Sequence, residues 1–270
     1  MTKIDPYSLT TVPLEQLANG NPLATATGFI WRRRDQNYLI TNWHVVTGKN
    51  AATGKPLAPA RPDTLRASFN TRSMNFGKEA RDIPIRDAGQ NPLWYIEAIR
   101  RRTDDNELSP APFGLKGCDV VVIPLRGLGS DTDINLYPIN VLKSDSDLAV
   151  RIGMDVFILG YPFGNQSPGF PVWKRGSIAS EPDLTRLGTG YMLVDTASRP
   201  GMSGAPVIRR SWGMHILENG AFSADSTPQS KFIGIYSGRL STFDKEDAQL
   251  GMVWPADDIE NIIDAAKYDH

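Results

Sequence analysis

A serine, a histidine and an aspartate in this chain sit in settings that invite acyl chemistry. The serine is Ser203, within D-T-A-S-R-P-G-M-S-G-A-P-V at residues 195–207. Pro200 and Gly201 break the chain just before it and Gly204 follows, so Ser203 rides on a tight turn between two apolar runs, 192–194 and 205–208. A ligand can reach a hydroxyl held in this way. The small neighbours also let a carbonyl approach the backbone, where the N–H groups of Gly201 and Ser203 can converge on a developing oxyanion. An ordinary Ser-Gly turn of a β-protein fits the same residues, so the partners decide.

A serine hydroxyl needs a base, usually histidine, and the base needs a carboxylate to hold its tautomer. The histidines are His44, His215 and His270. His44 lies in Y-L-I-T-N-W-H-V-V at 38–46, where Thr41 and Asn42 interrupt an apolar strand and the imidazole can be half buried yet face a cleft. His215 reads as structural or surface, and His270 is the last residue. The carboxylate belongs where an acid is forced into an apolar run, because a buried charge is tolerated only when paired. Asp119 opens such a run, C-D-V-V-V-I-P-L at 118–125. A strand-edge aspartate bonded to backbone N–H groups reads equally well from that stretch alone.

Together His44, Asp119 and Ser203 give the chain order His, Asp, Ser. Five further stretches accompany G-M-S-G-A-P-V at 201: T-G-F-I-W at 27, L-I-T-N-W-H-V-V at 39, D-V-V-V-I-P-L at 119, G-Y-P-F-G at 160 and F-I-G-I-Y-S-G at 232. On these ordered motifs the chain resembles trypsin-like serine peptidases, nearest the bacterial HtrA-like branch. The resemblance implies an all-β fold of two antiparallel Greek-key β-barrels with a C-terminal α-helix. His44 and Asp119 would come from the first barrel and Ser203 from the second. It implies Ser203 as nucleophile, His44 as base, Asp119 as its orienting acid, and an oxyanion hole from the N–H groups of Gly201 and Ser203. Ala197 takes the base of the primary pocket, where family members that cleave after Arg or Lys carry an aspartate, so a small or medium apolar side chain is expected there. Tyr236, Ser237 and Gly238 match the strand that pairs with substrate backbone. Met202 replaces the aspartate that digestive members pair with a freed N-terminus, so activation by that route is not expected.

The implied division is an N-terminal arm and first barrel over 1–125, a connection over 126–150, a second barrel over 151–255 and the helix over 256–270, together one protease unit. HtrA-like proteases usually carry a PDZ module after that unit, and none is expected here.

Composition is compatible with this. A chain of 270 residues can bury a substantial core, and its net charge of −1 gives no electrostatic case for nucleic acid or an acidic membrane. The single cysteine, Cys118, excludes an intrachain disulfide framework, and the apolar run after it predicts an inert, buried thiol. No stretch reaches membrane-span length and the first ten residues lack an apolar signal core, so a soluble cytoplasmic protein is expected. No metal or organic cofactor is implied; the partners implied are a protein or peptide substrate and a regulatory protein. A barrel that binds without turnover, and an esterase using the same three residues, remain open alternatives.

The elements that must position these residues follow from periodicity. Strands 25–32 and 37–41 read as a hairpin, with 48–63 a loop and further strands at 65–70, 80–86, 93–99 and 119–125. Residues 1–22 read as an arm with a short helix at 13–18, and 100–107 as an exposed mixed-charge loop. In the second half, strands are expected at 156–159, 172–178, 191–194, 205–208, 232–236 and 251–254, with a long loop over 209–231. Residues 255–267 open on a proline and acids and repeat apolar residues at helical spacing, which predicts a closing helix.

Overall fold

Short strands with both faces apolar build this molecule around three cores. The computed structural model describes residues 4–72, 77–96, 118–128, 133–142, 147–164, 169–185, 190–197, 199–239 and 249–269. The expected loop at 100–107, the end of the strand at 93–99 and His270 lie outside them.

A five-residue helix, α1 (Pro6–Thr10), opens the described chain; the Asp5 side chain accepts from the Tyr7 N–H at its start. The first sheet follows with β1 (Thr11–Ala18), β2 (Asn21–Arg33), β3 (Gln36–Thr41), β4 (Thr64–Thr71), β5 (Lys78–Pro84), β6 (Tyr95–Ile96), β7 (Val121–Pro124) and β8 (Ile134–Asn135). The second half supplies β9 (Asp155–Gly160), β10 (Val172–Ile178), β11 (Met192–Asp195), β12 (Pro206–Ile216), β13 (Phe222–Arg239) and β14 (Leu250–Pro255). It ends in helix α3 (Asp257–Ala265) and β15 (Lys267–Tyr268). The fold is all-β, two antiparallel units and a late helix. The first unit is a nine-stranded sheet ordered β15-β6-β7-β3-β2-β1-β4-β5 with β8 beside β4, and the second is a closed barrel, β10-β11-β14-β13-β12-β9.

Strand periodicity explains why the runs at 28–31, 38–41 and 120–123 are almost continuously apolar. Alternate residues point to opposite faces, and here both faces are covered. Ile30, Leu39, Val121 and Ile123 fill the first unit's core, whereas Phe29, Trp31, Ile40 and Val122 turn outward into a shared core with Ile208, Ile235, Trp254 and α3. Val156, Ile158, Met202 and Tyr236 belong to the second barrel's own core.

The two ends of the described chain exchange places. Helix α1 leads into the first sheet but docks on the second barrel: Trp173 Nε1 donates to Ser8 Oγ at 2.8 Å and Arg210 Nη1 meets Asp5 Oδ2 at 2.5 Å. Helix α3 leaves the second barrel and packs on β6 and β7, with Trp31 Nε1 donating to Glu260 Oε1 at 2.8 Å and Arg33 paired to both Glu260 and Asp264.

Three expectations change. The short helix at 13–18 is the body of β1, because its residues are buried on both faces and paired to β2 and β4. The connection after residue 125 rejoins the first sheet through β8. The loop at 209–231 is an extended β12–β13 hairpin, paired from Pro206↔Ile235 to Ile216↔Phe222. Its outer part leaves Trp212, Met214 and Phe222 exposed, so it lacks the one-sided alternation that marks a strand. Among the described residues no helix is long and apolar enough to cross a membrane.

Candidate active site

Register brings His44 to Asp119. Strands β3 and β7 pair antiparallel with Thr41 opposite Val121, so continuing the ladder sets residues 42 and 43 beside 120 and 119. There the chain turns into a short helix, α2 (Trp43–Thr47), whose first turn carries His44. Gly48 ends it in a left-handed conformation (φ 66°), its N–H donating to the His44 carbonyl.

Asp119 is 1% exposed, and a carboxylate so buried must be surrounded by donors. The His44 backbone N–H donates to Oδ1 at 2.9 Å, His44 Nδ1 donates to Oδ2 at 2.7 Å, and the Ser237 hydroxyl donates to Oδ2 as well. Asn42 Nδ2 holds the Asp119 carbonyl at 2.7 Å. Because an ionised carboxylate only accepts, the imidazole proton sits on Nδ1 and Nε2 keeps its lone pair. Burial on its own would lower the imidazole pKa. The Asp119 charge and hydrogen bond outweigh burial, and His44 titrates above its ordinary 6.5.

Ser203 arrives on the turn at 200–204, ahead of β12. The Tyr236 N–H donates to the Ala205 carbonyl and the Gly204 N–H to the Tyr236 carbonyl, both at 2.9 Å, which carries the β12–β13 register onward to Ser203 beside Gly238. A Cβ built on Gly238 would lie 3.8 Å from Ser203 Oγ. Ser237, its neighbour, is the residue that reaches Asp119. Strand β13 therefore ties the serine turn to the His44–Asp119 pair. Among the described residues Ser203 Oγ makes no hydrogen bond; contacts of this kind commonly close only around substrate.

Two glycines shape the turn. Gly201 (φ 93°) and Gly204 (φ 82°) adopt conformations that side chains rarely take, and a Cβ would strike the Tyr161 carbonyl at the first and the Thr27 carbonyl at the second. The N–H groups of Met202 and Ala205 bond within the turn, to the Arg199 and Met202 carbonyls. Those of Gly201 and Ser203 donate to no acceptor among the described residues, as an anion-binding pair requires. Thr27, fully buried, clamps the turn from β2. Its Oγ1 donates to the Gly201 carbonyl at 2.7 Å and accepts from the Tyr161 N–H at 3.1 Å, and its own N–H donates to the Ser203 carbonyl at 2.8 Å. Tyr161 is anchored in turn: its hydroxyl lies 3.2 Å from Thr11 Oγ1 and accepts from Lys78 Nζ at 3.4 Å. Burial pushes the Tyr161 phenol up to about 12 and the Lys78 ammonium down to about 8.

Met202 is 1% exposed and packs in the barrel core against Gly160. An apolar plug thus holds the turn at the position just before Ser203. Ala197 is half-buried just beyond β11, and Tyr236 is a buried wall residue whose ring lies over Gly251. Phe163, 57% exposed at φ 61°, donates its N–H to the Pro200 carbonyl at 3.0 Å. His215 is fully buried on β12 opposite Ser223, and neither ring nitrogen is hydrogen-bonded among the described residues. Cys118 is half-buried and its Sγ donates to Asp258 Oδ2 at 3.6 Å. Among the described residues no group of three or more His, Cys, Asp or Glu side chains could hold a metal ion.

Sequence reasoning missed Thr27, Asn42 and the Ser237–Asp119 bond. The available signal for the first two was a polar residue inside an apolar strand.

The chain belongs to the trypsin-like peptidase domain family, whose model matches residues 26–214. Among solved structures, the serine endoprotease from Yersinia pestis is similar at 14% identity and a TM-score of 0.49, with 96% of this chain and 62% of that one covered. An inactive serine-to-alanine mutant of Rv3671c from M. tuberculosis is similar at 14% identity and a TM-score of 0.44, with 96% and 86% covered. The match thus spans about three-fifths of the Yersinia chain. No curated protein sequence matches.

Proposed function

We propose that the chain is a serine endopeptidase in which Ser203, His44 and Asp119 act as nucleophile, base and orienting acid. Ser203 Oγ attacks a peptide carbonyl as His44 Nε2 takes its proton, and the N–H groups of Gly201 and Ser203 hold the oxyanion. Asp119 keeps the imidazole in its working tautomer and stabilises the imidazolium. His44 then returns the proton to the leaving amine, and water, deprotonated by the same imidazole, releases the acyl group. The observation that carries this reading is strand β13, on which Ser237 binds the buried Asp119–His44 pair while the next residue, Gly238, flanks Ser203.

On this reading Ala197 and the Ser237–Gly238 segment face the acyl side of the substrate and favour a small or medium apolar residue before the cut, whereas Tyr236, expected beside them, is buried with both backbone groups bonded to the serine turn. The buried Met202 supports the turn without any ion pair, so cleavage of a leader is not needed to form it, and control falls to a partner or to loop ordering.

Labelling of the purified chain by a fluorophosphonate probe tests the core of the proposal. Modification of Ser203 is expected in the wild type and is lost in Ser203→Ala and His44→Ala. An unlabelled wild type, or labelling that survives Ser203→Ala, overturns it.

A further inference from the structure

The segment after the second barrel reaches both halves of the His44–Asp119 pair from behind. Helix α3 lays Asp258 against Cys118, the residue before Asp119. Beyond it, β15 pairs with β6, with Lys267 opposite Ile96 and Tyr268 opposite Tyr95, and delivers Asp269 to the back of α2. There Asp269 Oδ2 accepts from Trp43 Nε1 at 2.9 Å and from Trp94 Nε1 at 3.2 Å. Trp94 is fully buried and carries the Arg86 guanidinium 4.8 Å from its ring, and the Arg86 charge is attracted to Asp269. The carboxylate is thus held by two indoles and a cation, and one of those indoles belongs to the residue bonded to His44.

Val45 and Val46 seat α2 in the first unit's core, and the Asp269 bond adds a polar anchor at Trp43, the residue before His44. The helix is five residues long, too short to be stable on its own, and its N-cap Asn42 makes no side-chain capping bond: Nδ2 donates to the Asp119 carbonyl, and the His44 N–H goes to Asp119 Oδ1 instead. Rotation of such a helix is set by tertiary contacts. The Trp43 indole anchors its first residue from outside, and the next residue must place Nδ1 at 2.7 Å from Asp119 Oδ2.

The geometry points to Asp269 as a positioning residue that fixes the Trp43 indole and, through it, the seating of His44 on Asp119. This rests on the reading of His44 as the base. The role is one of alignment: displacement of a catalytic group by about 1 Å can cost on the order of 100-fold in rate.

The test uses the whole chain and two independent readouts. The first is the titration of the His44 imidazole followed by NMR, which needs no turnover. In Asp269→Ala and in Trp43→Phe, which keeps the ring and removes the N–H, the titration is expected to move down from its raised value, because the Asp119 contact that raises it is loosened. Asp269→Asn retains an acceptor for the indoles and restores most of the wild-type value. The second readout is turnover of a peptide substrate. Each disruptive variant is expected to lose about tenfold in kcat with KM little changed, and the double variant to be no slower than the slower single one. An unchanged titration in both variants overturns the proposal, whatever the wild type catalyses. So do losses that multiply in the double variant, or a lowered Tm with kcat and the titration unmoved. A shifted titration in a chain that no fluorophosphonate labels would overturn the protease reading and leave the positioning role standing.

Discussion

The two halves of the candidate site are stabilised by different physics. His44 and Asp119 are held by charge: a buried carboxylate with three donors and an imidazole whose titration it raises. The Ser203 turn holds no charge. It is fixed by two positive-φ glycines, by the Thr27 clamp and by the Met202 plug. The first half is therefore open to pH and to loss of a single proton-binding group, whereas the second is vulnerable to one added methyl.

The largest expected effect breaks the charged half. Asp119→Asn puts an amide where only an acceptor fits, permits the wrong imidazole tautomer and should lower kcat roughly 10,000-fold; steady-state turnover measures it. The pH profile sharpens the contrast. With His44 above 6.5, the wild-type rate should rise as pH increases through that raised value, because the imidazolium cannot accept the Ser203 proton. The same raised pKa makes the pair stabilise the fold below about pH 6.5, a contribution lost as pH rises through the folded value.

Gly201→Ala breaks the other half by collision with the Tyr161 carbonyl and by backbone strain. Fluorophosphonate labelling should fall about 100- to 1,000-fold, with stability lower by about 2–4 kcal/mol in denaturant titration. The His44 titration should stay where it is; a shift would mean that the halves are not independent. Thr27→Val, the mildest change, keeps the shape and removes one hydroxyl. Leaving the Gly201 carbonyl and the Tyr161 N–H unpaired should cost about 1–3 kcal/mol and lower labelling about tenfold.

The residues with chemistry were legible because each stands out locally: a serine between glycines, an acid opening an apolar run, a histidine after a broken strand. The strands around them were legible where burial is continuous. What escaped depends on partners far away in sequence. Asp269 is unremarkable beside Tyr268, and its role exists only because two tryptophans 226 and 175 residues away converge on it. Thr27 looks like any β-branched strand residue until the second barrel arrives. The hairpin at 209–231 was misread for the opposite reason: much of it touches solvent on both faces, so no periodicity records its pairing. Strands β8 and β15 have two residues each, too few to carry a pattern.

The exchange of chain ends has a consequence for how this protein is made and lost. Helix α1 docks on the second barrel and α3 with β15 docks on the first sheet, so the core the two halves share is complete only when both exist. Contacts of such sequence separation form late and slowly, and residues that share one core should melt as one unit. Heating should then give a single transition, with the His44–Asp119 pair dissolving at the same temperature as the Ser203 turn. The Trp43 indole beside His44 gains its carboxylate partner only once the segment carrying Asp269 has docked on the first sheet.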